Sequence, residues 1–170
     1  MKFTVTNDTT FTAIFKKILN VTAVANVENA GTVTVTPEGE ILEGDEVTVT
    51  AVASKSYVFV GYENIEGNES TLKFTATKDT SFTAIFKRIL NITAYVTVEG
   101  TGSVTVSPKG QIIEGDEVTV TATPSEGYVF AGYDKIEGTE TTLNFIATKD
   151  TSFMVNFKKI LNITATVNYE

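Results

Sequence analysis

Glu114-Gly115-Asp116-Glu117-Val118-Thr119-Val120-Thr121-Ala122 sets an acidic turn directly before five residues in which apolar and hydroxyl side chains alternate. Period two places Val118, Val120 and Ala122 on one face and Thr119 and Thr121 on the other, the pattern of a strand with one buried and one wet face. The same nine residues stand at Glu43 to Ala51, 71 positions earlier (114 − 43). The step recurs at Asn20-Val21-Thr22-Ala23, Asn91-Ile92-Thr93-Ala94 and Asn162-Ile163-Thr164-Ala165 (91 − 20 and 162 − 91, both 71). Aligned without a gap, residues 20–90 and 91–161 agree at 45 of 71 positions, so one fold occurs twice. Phe3 to Leu19 matches Phe74 to Leu90 and Phe145 to Leu161. The expected organisation is a C-terminal remnant of a preceding module at 1–19, read as a β-hairpin, and complete modules at 20–90 and 91–161. Residues 162–170 are read as the first strand of a following module. The period is longer than a solenoid repeat and gives each module room for a core of its own.

Alternation continues along each module. Val33 and Val35 sit among Thr32, Thr34 and Thr36, and Leu72, Phe74 and Ala76 alternate with Thr71, Lys73 and Thr75. In the second module this predicts strands near 92–99, 103–107, 117–123, 128–133, 141–147 and 152–158. Its expected core is Val104, Val106, Val118, Val120, Tyr128, Phe130, Leu143, Phe145, Phe153 and Phe157. Glu99-Gly100-Thr101-Gly102 reads as a hairpin loop between the first two strands, and Lys149-Asp150-Thr151 as the closure of the last hairpin. Pro108 to Gly110 and Glu114 to Asp116 bracket a short crossing segment. The fold class is therefore all-β: tandem small antiparallel modules, sandwich-like or β-grasp-like without the helix.

The chain has no His and no Cys, which removes the usual general base, the usual zinc ligands and every His-activated nucleophile. A net charge of -8 would repel a nucleic acid. No stretch approaches the ~20 apolar residues of a membrane span. Met1-Lys2-Phe3-Thr4 lacks the apolar core of a signal peptide. No cofactor, metal or catalytic set is expected. A carboxylate pair could in principle hydrolyse a glycoside, but two near-identical small domains in series are a poor setting for such a cleft.

Four spaced elements carry a family resemblance: Gly102-Ser103-Val104-Thr105-Val106, Glu114 to Ala122, Gly127-Tyr128-Val129-Phe130-Ala131-Gly132-Tyr133, and Phe153 to Phe157. Together they resemble the divergent internalin B-type repeat of bacterial surface proteins, over both modules and part of each end. The family commonly has Trp where Tyr62 and Tyr133 stand, and Ala53 and Ser56 replace Pro124 and Gly127 in the first module. The resemblance implies an extracellular, cell-surface protein whose repeats serve as stalk or interaction modules, without catalysis.

Several groups are weighed as sites. Tyr57, Phe59 and Tyr62, with Tyr128, Phe130 and Tyr133, could stack a ligand. Core packing suits them better if the Gly before Tyr62 permits a bulge that turns the ring inward. Glu43 and Asp45, with Glu114 and Asp116, could form weak cation-ligand loops, although their spacing is not that of a calcium loop. The Thr rows are ordinary for a wet strand face. Asn20, Asn91 and Asn162 open Asn-x-Thr sequences. Ile18, Leu19, Ile89, Leu90, Ile160 and Leu161 are expected to pack at module boundaries, because Phe86 to Ile92 runs without Gly or Pro and reads as a stiff junction.

The function expected from these readings is a non-catalytic spacer. The alternatives are a module binding glycan or host protein through its loops, and a head-to-tail fibre joined through the incomplete ends. Partners are then other modules of the chain, neighbouring copies, or such a ligand. Residues 2–17, turning at Asn7-Asp8-Thr9, and 163–168 are expected to be ordered by docking or by pairing with another chain.

Overall fold

The structure is a computed structural model and describes residue 4 and residues 6–168. The described residues contain strands and turns and no helix. In chain order the strands are β1 (Ile18–Leu19), β2 (Val21–Ala25), β3 (Gly31–Thr36), β4 (Ile41–Leu42), β5 (Glu46–Ala53), β6 (Tyr57–Tyr62), β7 (Thr71–Thr75) and β8 (Thr80–Leu90). The second set is β9 (Ile92–Val96), β10 (Gly102–Ser107), β11 (Ile112–Ile113), β12 (Glu117–Pro124), β13 (Tyr128–Tyr133), β14 (Thr142–Ile146) and β15 (Thr151–Lys159). The chain forms two compact units, one from the described residues up to Ser54 with Phe59–Phe86, the other from Lys55–Val58 with the described residues from Lys87 onward.

In the second unit two three-stranded sheets run in the orders β10-β12-β14 and β13-β15-β9. Val104, Val106, Val118, Val120, Leu143 and Phe145 of one sheet pack with Ile92, Phe130, Tyr133, Phe153, Val155 and Phe157 of the other in one core. Of the two arrangements expected, this is the sandwich. The first unit repeats it, with β3-β5-β7 as one sheet and β2, β8 and β6 in the other.

The all-antiparallel expectation needs one correction. β9 and β15 pair in parallel, with Ile92 opposite Thr151 and Val96 opposite Val155, and β2 pairs β8 in the same way. The cause lies in two connections read as hairpins. Thr101 is buried, its hydroxyl donates to Val98 O (2.7 Å), and Ser125 N–H donates to its carbonyl (3.0 Å). That pinned corner carries the chain from β9 to the opposite sheet, so β9 and β10 are not a hairpin. Lys149-Asp150-Thr151 likewise joins different sheets. Asn91 N–H donates to Asp150 Oδ1 (2.9 Å) and Thr151 N–H to Asn91 O (3.1 Å), tying the start of β15 beside the start of β9. Asn20, Asp79 and Thr80 make the same clasp in the first unit.

The expected bulge is present. Between β13 and β15 the register shifts from Phe130 opposite Phe157 to Gly132 opposite Asn156, which leaves Ala131 unpaired. Gly132 has φ +131 and Gly61 φ +148, values that an L side chain resists. Tyr133 and Tyr62 then turn inward, and the Tyr133 hydroxyl donates to Thr141 O (2.8 Å) and Val120 O (3.2 Å). Gly102 serves close approach instead. A Cβ there would collide with the Phe157 ring and lie 2.7 Å from Thr123 O.

Tyr128, expected in the core, is only half-buried and lies outside the core cluster. Leu90, Ile92, Ala94, Ile112, Ala122, Tyr133, Ala147 and Val155 complete it. The ends differ from the expected ordered strands. Residues 6–17 form no strand, although Thr9 Oγ1 donates to Asn7 O (2.9 Å), and Phe15 is 92% exposed. Phe3 and Val5, assigned to that hairpin, lie outside the described residues. Residues 161–168 are exposed and also form no strand.

Candidate strand-docking site

The acidic turn and the end of the preceding strand come together in each unit. In the first, Ile18 and Leu19 pair antiparallel with Leu42 and Ile41, and Glu43 N–H donates to Lys17 O (2.8 Å). In the second, Ile89 and Leu90 pair with Ile113 and Ile112, and Glu114 N–H donates to Arg88 O (2.9 Å). Leu19, Ile41, Leu90 and Ile112 are each 4% exposed. Burial of side chains of this size is worth about 1.5–3 kcal/mol apiece, so the apolar pair rather than the short ladder holds the contact.

The turn that receives the strand is fixed from below. Gly44 N–H donates to Ala76 O (2.7 Å) and Ala76 N–H to Asp45 O (2.8 Å), and Gly115, Ala147 and Asp116 repeat this at 2.8 Å each. Gly44 at φ +92 and Gly115 at φ +94 supply the left-handed residue the turn needs. Asp45 Oδ2 accepts from Leu42 N–H (2.9 Å) and Asp116 Oδ2 from Ile113 N–H (3.0 Å), closing each turn on itself. Above the turn lies a cation of the incoming strand. Lys16 Nζ is 3.6 Å from Asp45 Oδ1, and Lys87 Nζ lies against Gly115, 3.2 Å from where a Cβ would stand. With Asp45 one-third and Lys16 half exposed, that pair contributes about 0–1 kcal/mol, so the buried leucine rather than the charge holds the strand.

Glu43, Asp45, Glu114 and Asp116 thus line turns whose aspartates are already hydrogen-bonded. Among the described residues no three acidic side chains cluster as a metal site would require. The boundary residues divide. Leu19 and Leu90 are buried, and Ile89 is half-buried, whereas Ile18 (58%), Ile160 (48%) and Leu161 (77%) are exposed. The aromatic rings form a chain through the core: Phe130–Tyr133 at 5.2 Å, Tyr133–Phe153 at 6.2 Å and Phe153–Phe145 at 5.3 Å between centroids. They are not a stacking surface. A cavity of about 190 Å³ beside Tyr133, Ile136 and Glu140 is smaller than the ~300 Å³ at which small-molecule pockets begin. Sequence reading missed Lys16, Lys87, Ile41 and Ile112. Their signal was recurrence at the 71-residue step, but each cation stands one repeat upstream of the acids it meets.

The repeated sandwich, with its acidic turn closed by the strand before it, defines a class of small tandem β-repeat. Residues 20–90 and 92–161 each match the Divergent InlB B-repeat domain, and the chain belongs to that family. The family is typical of bacterial surface proteins. No curated protein matches the chain.

Proposed function

We propose that this chain is a non-catalytic spacer of an extracellular bacterial surface protein, each repeat adding length rather than chemistry. One observation carries the reading: Leu90, which ends the first sequence repeat, is a core residue of the unit built from the second. A repeat whose closing residues complete the next unit is suited to serial addition without a linker, and Phe86 to Ile92 contains neither Gly nor Pro. The lack of His and Cys and the hydrogen-bonded aspartates of the turns support the non-catalytic part.

Chains of two, three and four repeats test it by small-angle scattering. The maximum dimension is expected to grow by a constant step per repeat, and a dimension that saturates would overturn the spacer role. The two-repeat chain screened against glycans and host surface proteins is expected to stay silent. Saturable binding abolished by a loop substitution would transfer the function to a binding module.

A further inference from the structure

β14 is an edge strand: it pairs β12 on one side and no strand of the described residues on the other. Its counterpart β7 pairs only β5, although the chain runs on into the second unit, so the open edge belongs to the repeat itself. Ala122 N–H donates to Thr141 O (2.9 Å) and Ala147 N–H to Asp116 O (2.8 Å). Alternate residues of an antiparallel strand bond the same neighbour, so Leu143 and Phe145 also face β12. Thr142, Asn144 and Ile146 then turn their N–H and C=O groups to the open edge. All three are exposed, Ile146 by 56%, while Leu143 and Phe145 pack on the core.

Open edges are ordinarily defended by a charge, a proline or a bulge. β7 carries such a charge at its centre, Lys73. At the same place β14 has Asn144, and where β7 ends on Thr75 it ends on the exposed Ile146. Thr142 to Ile146 contains neither charge nor proline, and its register with β12 runs without a bulge.

We infer that β14 pairs antiparallel with β14 of a second copy about a two-fold axis at Asn144, making one continuous sheet of the two copies. The strand is complementary to itself in that register. Asn144 stands opposite Asn144 and Thr142 opposite Ile146, so each outward N–H meets an outward C=O. On the core side Leu143 stands opposite Phe145, which continues the hydrophobic layer. Thr119 Oγ1 donates to Asn144 Oδ1 (2.7 Å), and among the described residues the Asn144 Nδ2 has no partner. Nδ2 of each copy donates to Oδ1 of the other, which has a second lone pair. In β7 the same axis would set Lys73 against Lys73, a destabilising pair, so the first unit stays single. Both copies use the same patch, and the contact closes as a dimer. Its small area and the net charge of -8 on each copy make it weak between free chains. Copies held side by side would form it at high effective concentration.

Sedimentation equilibrium of the full chain is expected to show a monomer–dimer equilibrium. N144K installs the residue that the first unit carries at this place, so the fold tolerates it, and it reduces the net charge. Association should nevertheless weaken about fivefold to tenfold. The chain has no Cys, which lets the register be trapped. A hydrogen-bonded antiparallel pair holds its Cα atoms about 5.5 Å apart, within disulfide reach. Oxidised T142C/I146C should give a dimer linked from position 142 of one copy to 146 of the other. Its yield should be about tenfold that of T71C/T75C, the matching pair beside Lys73. A chain that stays monomeric at every concentration, or an N144K variant that associates like the parent, overturns the inference. So do links that join 142 to 142, or a yield no higher than that of T71C/T75C. Each of these leaves the spacer reading standing, because that reading concerns repeats within one chain.

Discussion

Tyr62 and Tyr133 show how single residues turn a period-two pattern into a closed core. Each follows a glycine whose φ only glycine tolerates cheaply, and each directs its hydroxyl to two carbonyls across the sandwich. Burial raises both phenols above their ordinary value of 10.0. The unfolded chain therefore ionises first as pH rises. The phenols' contribution is complete below about pH 10 and is lost as pH climbs from there through the folded-state values. A Y62F/Y133F variant is expected to lose about 1–3 kcal/mol at neutral pH, roughly 0.5–1.5 for each lost hydroxyl hydrogen bond, while Ser70 O and Thr141 O keep the N–H groups of Ala51 and Ala122. Its urea midpoint should then fall less steeply than the parent's between roughly pH 9 and 12. Equal slopes would show that the phenols do not drive the alkaline loss.

At the scale of the element, β8 and the acidic turn decide where a unit begins. Because Leu90 is buried against Ile112, Leu90→Ala is expected to cost about 2–5 kcal/mol. Amide exchange locates the effect. Val118 and Val120 should lose protection while Val47 and Val49 keep theirs, although Leu90 lies in the sequence repeat that ends before Asn91. Uniform loss in both units would place Leu90 elsewhere energetically. The strands themselves were legible, since alternation needs only local sequence and Thr-covered faces leave the inward set unambiguous. Their partners were not. Glu99 to Gly102 has the composition of a hairpin loop, and nothing local distinguishes it from a corner that crosses between sheets. That difference rests on Thr101 being buried and on Asp150 reaching back to Asn91, contacts distant in sequence. The docking site was half visible for the same reason. Its acids stood out as a motif, while Lys87 and Leu90 belonged to another repeat of the text.

For the molecule as a whole, the hydrogen-bonded state of Asp45 and Asp116 predicts indifference to divalent cations. Calcium at about 1–5 mM, within the range that weak extracellular sites require, should leave the melting temperature unchanged, as should EDTA. A rise of several degrees with calcium would show a site built from other residues. The parallel pairing of β9 with β15 has a mechanical consequence. Within that unit β9 begins the ladder and β15 ends it, and parallel neighbours put the start of β9 and the finish of β15 at opposite ends of that ladder. Tension along the chain would draw the two strands past each other in shear. The ladder's evenly spaced hydrogen bonds would then share the load, whereas a hairpin pulled at its open end surrenders them singly. β2 and β8 have the same geometry. Force applied to such a chain meets its resistance at the clasp between first and last strand, repeat by repeat.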